Sequence, residues 1–239
     1  MRPGATSGDG RSGEPVARTL RIGLIGALVL FVLQSAIGLI AALGFNSYHS
    51  FLDLDRNNGV PDLLSTAAIL IAAVGAGELA VVQRRDRWKA AALTLLLSIV
   101  ALADLSQQEA GFGDAGGMTV VLALVTSTLL ILVIARKASA RVRLTLVVGL
   151  CLLIVAVRMA YEYDQFLNIL GRGDQERGDL DYELGIVLKQ GLEFLGWSFV
   201  ATGIWATAVA ARVGRRQVDS ELPLSVSRSH ATQSQAAAR

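Results

Sequence analysis

The chain has 239 residues, of which 53% are apolar, 18% are charged and 6% are aromatic. Soluble domains of this size carry about 25% charged residues. The apolar residues are also grouped in six blocks of about 18–25 residues, the length that crosses a hydrocarbon core of about 30 Å. These features exclude a soluble globular enzyme, and the formal net charge of +2 hides an uneven distribution of charge along the chain.

The six apolar blocks predict an all-α fold, a polytopic integral membrane protein built as a bundle of six transmembrane helices. The first block, from Ile22 to Phe45, is longer than the 7–15-residue apolar core of a cleaved signal peptide, so we expect it to remain as a span. The predicted spans are residues 22–44, 63–83, 89–109, 118–135, 144–161 and 185–211.

The two ends of the chain are polar and contain few apolar residues. Gly, Ser, Pro and Arg dominate the beginning, and Ser, Gln, Ala and Arg dominate the end. Such compositions do not bury enough apolar surface to order a chain. We therefore expect a disordered cytoplasmic arm over residues 1–21, a membrane domain over 22–211 and a disordered cytoplasmic tail over 212–239. A nucleic-acid partner is not expected.

Arginine and lysine indicate the orientation of the spans. Most of the 22 cations lie in the two terminal segments and in the loops after spans two and four, whereas the three opposite loops hold only Arg56, Arg172 and Arg177. Loops rich in these residues stay in the cytoplasm, so both termini are predicted to be cytoplasmic. The preference for arginine over lysine is typical of GC-rich bacterial genomes, which favours the bacterial cytoplasmic membrane.

Cysteine and histidine do not indicate a metal or redox centre. Cys151 is the single cysteine and stands in an apolar run, so an intrachain disulfide is excluded. The two histidines, His49 and His230, are far apart and lack the spacing of zinc ligands. We expect no metal, no cofactor and no catalytic residue.

Small residues recur at every fourth position of span six, at Ser198, Thr202, Ala206 and Ala210. One helix face therefore permits close approach of a neighbouring backbone. This face either packs inside one bundle or joins two copies of the chain, so a homo-oligomer remains open beside the lipid bilayer as a partner.

Ionisable residues inside the spans predict a polar site. A charge in lipid costs at least about 2.5–3.5 kcal/mol, so each one needs a partner or water. The candidates lie toward the outer ends of spans three, five and six: Asp104, Glu109, Arg158, Glu162, Lys189 and Glu193. We predict one pocket in the outer half of the bundle, in which Arg158 and Lys189 offset Asp104 and Glu193. A purely structural ion-pair network and snorkelling to the interface remain as alternatives.

Two short segments carry a resemblance to a known family. Phe51-Leu52-Asp53-Leu54-Asp55-Arg56-Asn57-Asn58-Gly59-Val60-Pro61 precedes span two, and Leu192-Glu193-Phe194-Leu195-Gly196 lies in span six. Over about residues 45–210, the chain resembles a family of uncharacterised bacterial multi-pass membrane proteins with an Asp-rich, Pro-ended loop and a Leu-Glu-x-x-Gly ending in the last helix. The resemblance implies the same topology and singles out Glu193, and it implies no activity.

We therefore expect an integral membrane protein without enzymatic activity, whose outer pocket binds a small ligand, a lipid or a proton. A membrane-embedded hydrolase or transferase acting on lipid at the outer leaflet is the alternative. It needs a nucleophile such as Ser106 or Tyr161 beside Glu193. A secondary transporter is the third possibility, and it needs a helix broken at mid-membrane.

Overall fold

The computed structural model of the protein describes residues 9–40, 60–106, 114–169 and 180–237, and side chains within 13–40, 62–105, 119–159 and 185–217. The described residues form helices, with short connections at residues 83–86 and 138–139, and contain no strand. The helices are α1 (Asp9–Ile40), α2 (Val60–Val82), α3 (Arg87–Ser106), α4 (Asp114–Lys137), α5 (Ala140–Ile169) and α6 (Leu180–Ala237). Each helix is long and apolar enough to cross a membrane. The predicted all-α, six-span fold is confirmed.

The outer surface of the bundle is covered by large apolar side chains. Val32, Val81, Leu95, Leu144 and Ile154 are each more than 60% exposed. Monomeric soluble proteins rarely expose apolar patches larger than a few hundred Å². In a lipid bilayer these side chains contact hydrocarbon instead of water, and helices satisfy their own backbone hydrogen bonds there. The exposure pattern is that of a multi-pass membrane protein.

Helix α6 lies at the centre of the packing. It packs against α1, α2 and α5, while α3 packs against α2 and α4. Gly149 of α5 and Gly196 of α6 bring two backbones together: a Cβ atom on Gly149 would lie only 2.8 Å from the carbonyl oxygen of Gly196. Lipid provides no hydrophobic driving force between helices, so their association depends on close van der Waals contact of this kind.

The small-residue face of α6 is used inside the chain. Thr202 packs so closely against Gly23 of α1 that a Cβ atom there would lie 2.5 Å from the Thr202 hydroxyl oxygen. Ala206, one turn further, is completely buried. At these two positions, the face serves packing within one bundle, and a homo-oligomer stays a prediction.

One end of the bundle, which we call the basic end, contains the α2–α3 turn, the α4–α5 turn and residues 207–217 of α6. Asp86 in the α2–α3 turn accepts a 2.9 Å hydrogen bond from Lys89 and also pairs with Lys137 at the end of α4. Hydrogen bonds from the two lysines lower the pKa of Asp86 to about 2. Because the pKa lies below the ordinary value of 3.8, the carboxylate stays ionised in acid where a free aspartate takes up a proton, and the contact is lost as the pH falls through about 2.

Helices α1 and α6 extend beyond the predicted span boundaries. Helix α1 begins at Asp9, within the segment predicted as a disordered arm, because Val16 and Leu20 continue its apolar face and pack against the buried core. Helix α6 continues to Ala237, through the segment predicted as a disordered tail. Arginine, alanine and glutamine make up 12 of the 28 residues 212–239, and all three have high helix propensity.

We predict that Gly149→Ala destabilises the bundle, because the new methyl group meets the backbone of α6, which has no room to move aside. Overpacking of this kind costs about 1–3 kcal/mol. The melting temperature of the full chain in detergent micelles measures the effect. Gly26→Ala is the matched control, since a Cβ atom at Gly26 meets nothing within 4 Å; equal melting temperatures for the two variants would contradict the prediction.

Candidate functional site

Polar side chains of α2, α3 and α6 meet at the end of the bundle opposite the basic end. We call this group the polar cluster, and its members are Asp62, Thr66, Asp104, Lys189, Gln190 and Glu193. It gathers three carboxylates and one lysine within the first turns of α2, the last turn of α3 and the described start of the α6 span.

A hydrogen bond from α2 to α3 forms one side of the polar cluster. The Thr66 hydroxyl donates to Oδ2 of Asp104. Thr66 is buried and Asp104 is half-buried, so the bond satisfies two polar groups at a helix interface. Asp62 and Thr66 are four residues apart and lie on the same face of α2, which orients both toward the neighbouring helices.

A second contact fixes the position of α6 in the polar cluster. Gln190 Nε2 lies 3.5 Å from Oδ1 of Asp62. Helices α2 and α6 run in the same direction, so Glu193 and Thr66, each about one turn further along, lie in a common layer about 5 Å inward from Asp62. Glu193 is half-buried there, and the charges that act on it are Lys189, Asp104 and Asp62.

Gln34 of α1 lies at the level of the polar cluster. Helices α1 and α6 are antiparallel, and Phe31 packs against Gly191, so Gln34, three residues further, comes level with Lys189. The Gln34 side chain is 4% exposed, and in the described part of the chain its amide nitrogen and oxygen have no hydrogen-bond partner. A buried polar group in this state costs about 1–3 kcal/mol and is suited to hold water or a ligand.

The structure brings together three of the six predicted site residues: Asp104, Lys189 and Glu193. Arg158 is exposed on α5. It is nine residues from Gly149, the contact point with α6, which places it about half a turn around the helix from that contact. Glu109 lies outside the described residues, as does the side chain of Glu162.

The chemistry of the polar cluster is that of carboxylates, an ammonium group, a hydroxyl and amides. Among the described residues, no three His, Cys, Asp or Glu side chains converge to hold a metal ion. The side chains of Ser106 and Tyr161, the nucleophiles that a lipid hydrolase would require, lie outside the described part. Each helix is continuous over its described range, so the broken helix of a secondary transporter is not found there.

The sequence prediction did not include Asp62, Thr66 and Gln190. An acidic residue at a helix N-terminus, such as Asp62, is explained by the helix dipole alone. Thr66 is a hydroxyl residue in an apolar helix, which does not by itself indicate a site. The signal in the sequence was their spacing of four residues, which places both side chains on one face of α2. Gln190 directly precedes the Gly191 contact and adjoins Lys189, so its polarity beside a charged residue was a second signal.

Comparisons of the chain with protein-family models, with curated proteins and with solved structures find no match. The resemblance to uncharacterised bacterial multi-pass proteins therefore stays a prediction. The polar cluster is the feature of the described residues that points to a function.

We predict that Thr66→Val destabilises the chain, because it leaves the Asp104 carboxylate without its hydroxyl donor while keeping the side-chain shape. Loss of a hydrogen bond to a charged group costs about 1.5–3 kcal/mol, and a lower melting temperature in detergent measures it. Thr94→Val is the control, since the Thr94 hydroxyl only donates to the Ala90 carbonyl within α3. A melting temperature unchanged by Thr66→Val would refute the role of this bond.

Proposed function

We propose that the protein is a multi-pass protein of the bacterial cytoplasmic membrane, with both termini in the cytoplasm, that binds a proton in the polar cluster and has no enzymatic activity. The observation that carries the proposal is that two carboxylates, Asp62 and Asp104, and one described cation, Lys189, act on the carboxyl group of Glu193. The concentration of arginine and lysine at the basic end supports the orientation.

The charge balance favours uptake of a proton. Among the described residues of the polar cluster, three ionised carboxylates would outnumber one ammonium group beside hydrocarbon, where each charge is expensive. Carboxylates in one site are known to share a proton, because their mutual repulsion is then removed. A proton shared between Asp104 and Glu193 reduces the excess negative charge without displacing any helix.

Gln34 supports a hydrated site. Its amide offers donors and an acceptor, and in the described residues both atoms are buried without a partner. Buried water binds at such positions when several polar groups converge. Water at this level would connect the proton-binding carboxylates of the polar cluster to the end of the bundle.

Trp197 provides a direct test of proton binding. It lies one turn after Glu193 and is buried, so its fluorescence reports on charge at that position. In the full chain carrying Trp88→Phe and Trp205→Phe, we expect a sigmoidal change in fluorescence with pH that Glu193→Gln abolishes. Glu78→Gln is the matched control, because Glu78 is paired with Arg212 at the basic end and its loss leaves the titration unchanged.

Two results would contradict the proton-binding proposal. One is a titration that persists in Glu193→Gln, and the other is a parent protein without any titration. Sodium, potassium and a small organic amine, added at constant pH, test whether another cation takes the place of the proton. Melting temperatures recorded for each variant separate loss of binding from loss of the fold.

The orientation has its own prediction. Alkaline phosphatase is active only outside the cytoplasm, so we expect an inactive enzyme when it is fused after Arg239 and an active one when it is fused after Gly59. Green fluorescent protein fused after Arg239 is the complementary control and should fluoresce. Phosphatase activity at Arg239 would place that terminus outside and overturn the proposed topology.

A further inference from the structure

The basic end contains a cavity that belongs to no part of the polar cluster. Its volume is about 600 Å³, and it lies between the beginning of α1, the α2–α3 turn, the α4–α5 turn and the inner face of α6. Small-molecule sites in proteins have volumes of about 300–1,000 Å³. The cavity is therefore large enough to hold part of a lipid.

The walls of the cavity are mainly apolar. Val16 and Leu20 of α1, which lie one turn apart on the same helix face, form one wall, and Val133 and Ile134 of α4 form another. Ala211 of α6 closes the inner side. Because these small and medium side chains leave the space unfilled, an acyl chain could fill it and gain van der Waals contact with the walls.

The polar part of the cavity is positively charged. Lys89, Lys137 and Arg141 line it together with one acid, Asp86. Asp86 already pairs with both lysines, so the two lysines leave one positive charge in excess, and the exposed guanidinium group of Arg141 raises the excess to two. Guanidinium and ammonium groups are the usual partners of phosphate.

We propose that this cavity binds one anionic phospholipid from the adjacent leaflet. The phosphate lies against Lys137 and Arg141, and an acyl chain follows the wall formed by Val16, Leu20 and Val133. Basic pockets between helices at the cytoplasmic side of a membrane are suited to anionic headgroups. The proposal is independent of proton binding, since the polar cluster lies at the other end of the bundle.

The two surfaces of the cavity together select the ligand. A free phosphate ion would satisfy the cations and leave the apolar walls uncovered. A zwitterionic lipid would cover the walls, but its own positive group would reduce the attraction of the three cations. An anionic phospholipid matches both surfaces, and it is abundant where a membrane-embedded cavity opens.

The first test measures how much phosphatidylglycerol raises the melting temperature of the full chain in detergent, with phosphatidylcholine as the comparison lipid. We expect stabilisation by phosphatidylglycerol only. Arg141→Gln should weaken the apparent affinity about fivefold, since one cation near a membrane surface contributes about 1 kcal/mol. Arg84→Gln is the matched control, because Arg84 is also exposed at the basic end but does not line the cavity.

The second test fills the cavity without changing its charge. Ala211→Phe should abolish the stabilisation by phosphatidylglycerol, and Ala17→Phe blocks the same space from α1 if the first variant does not fold. The proposal would be overturned if Arg84→Gln and Arg141→Gln had equal effects, or if both filled variants were still fully stabilised. Either result would show that general surface charge, and not the cavity, causes the stabilisation. Stabilisation by inorganic phosphate alone would identify a soluble anion as the ligand and also overturn it.

Discussion

The close approach of helix backbones to α6 is the constraint on which the rest of the structure depends. Lipid is as apolar as the helix surfaces, so burial of leucine or valine between helices gains little, and packing must come from contact. Gly149, Gly196 and Gly23 provide that contact. They bring α1 and α5 onto α6, and Gly75 of α2 packs in the same way against the Trp205 side chain of α6. The α2–α6 contact brings Gln190 within hydrogen-bonding distance of Asp62.

Acidic side chains are accommodated differently at the two ends of the bundle. At the basic end, Asp86 has two lysine partners and remains an ionised anchor. At the opposite end, the described charges acting on Glu193 are two carboxylates and one ammonium group, Lys189. The pairing of Asp86 stabilises the α2–α3 turn at neutral pH. In the polar cluster, the described negative charges outnumber the positive one, and a bound proton would reduce that excess.

Hydropathy and cation placement predicted the six helices because length and apolarity are properties of each segment alone. The site was predictable only in part. Lys189 and Glu193 were found because their four-residue spacing lies on one helix. Arg158 was predicted to offset Asp104 and Glu193 together with Lys189. Its direction around α5 depends on the face that packs on α6, which a single sequence does not reveal. Thr66 was missed for the same reason, since only the proximity of α3 gives its hydroxyl a carboxylate acceptor.

The central position of α6 has a consequence for biogenesis. Domains emerge from the ribosome with their N-terminal segments first, and α6 follows α1, α2 and α5 in the chain. These three helices therefore enter the bilayer before the surface that unites them has been synthesised. Until α6 inserts, Gly23 and Gly149 lack the partners that they have in the complete bundle, although α3 can already pack against α2 and α4. A ribosome that stalls before α6 would therefore leave a membrane-inserted polypeptide without the helix that joins α1 and α5 to the rest of the bundle.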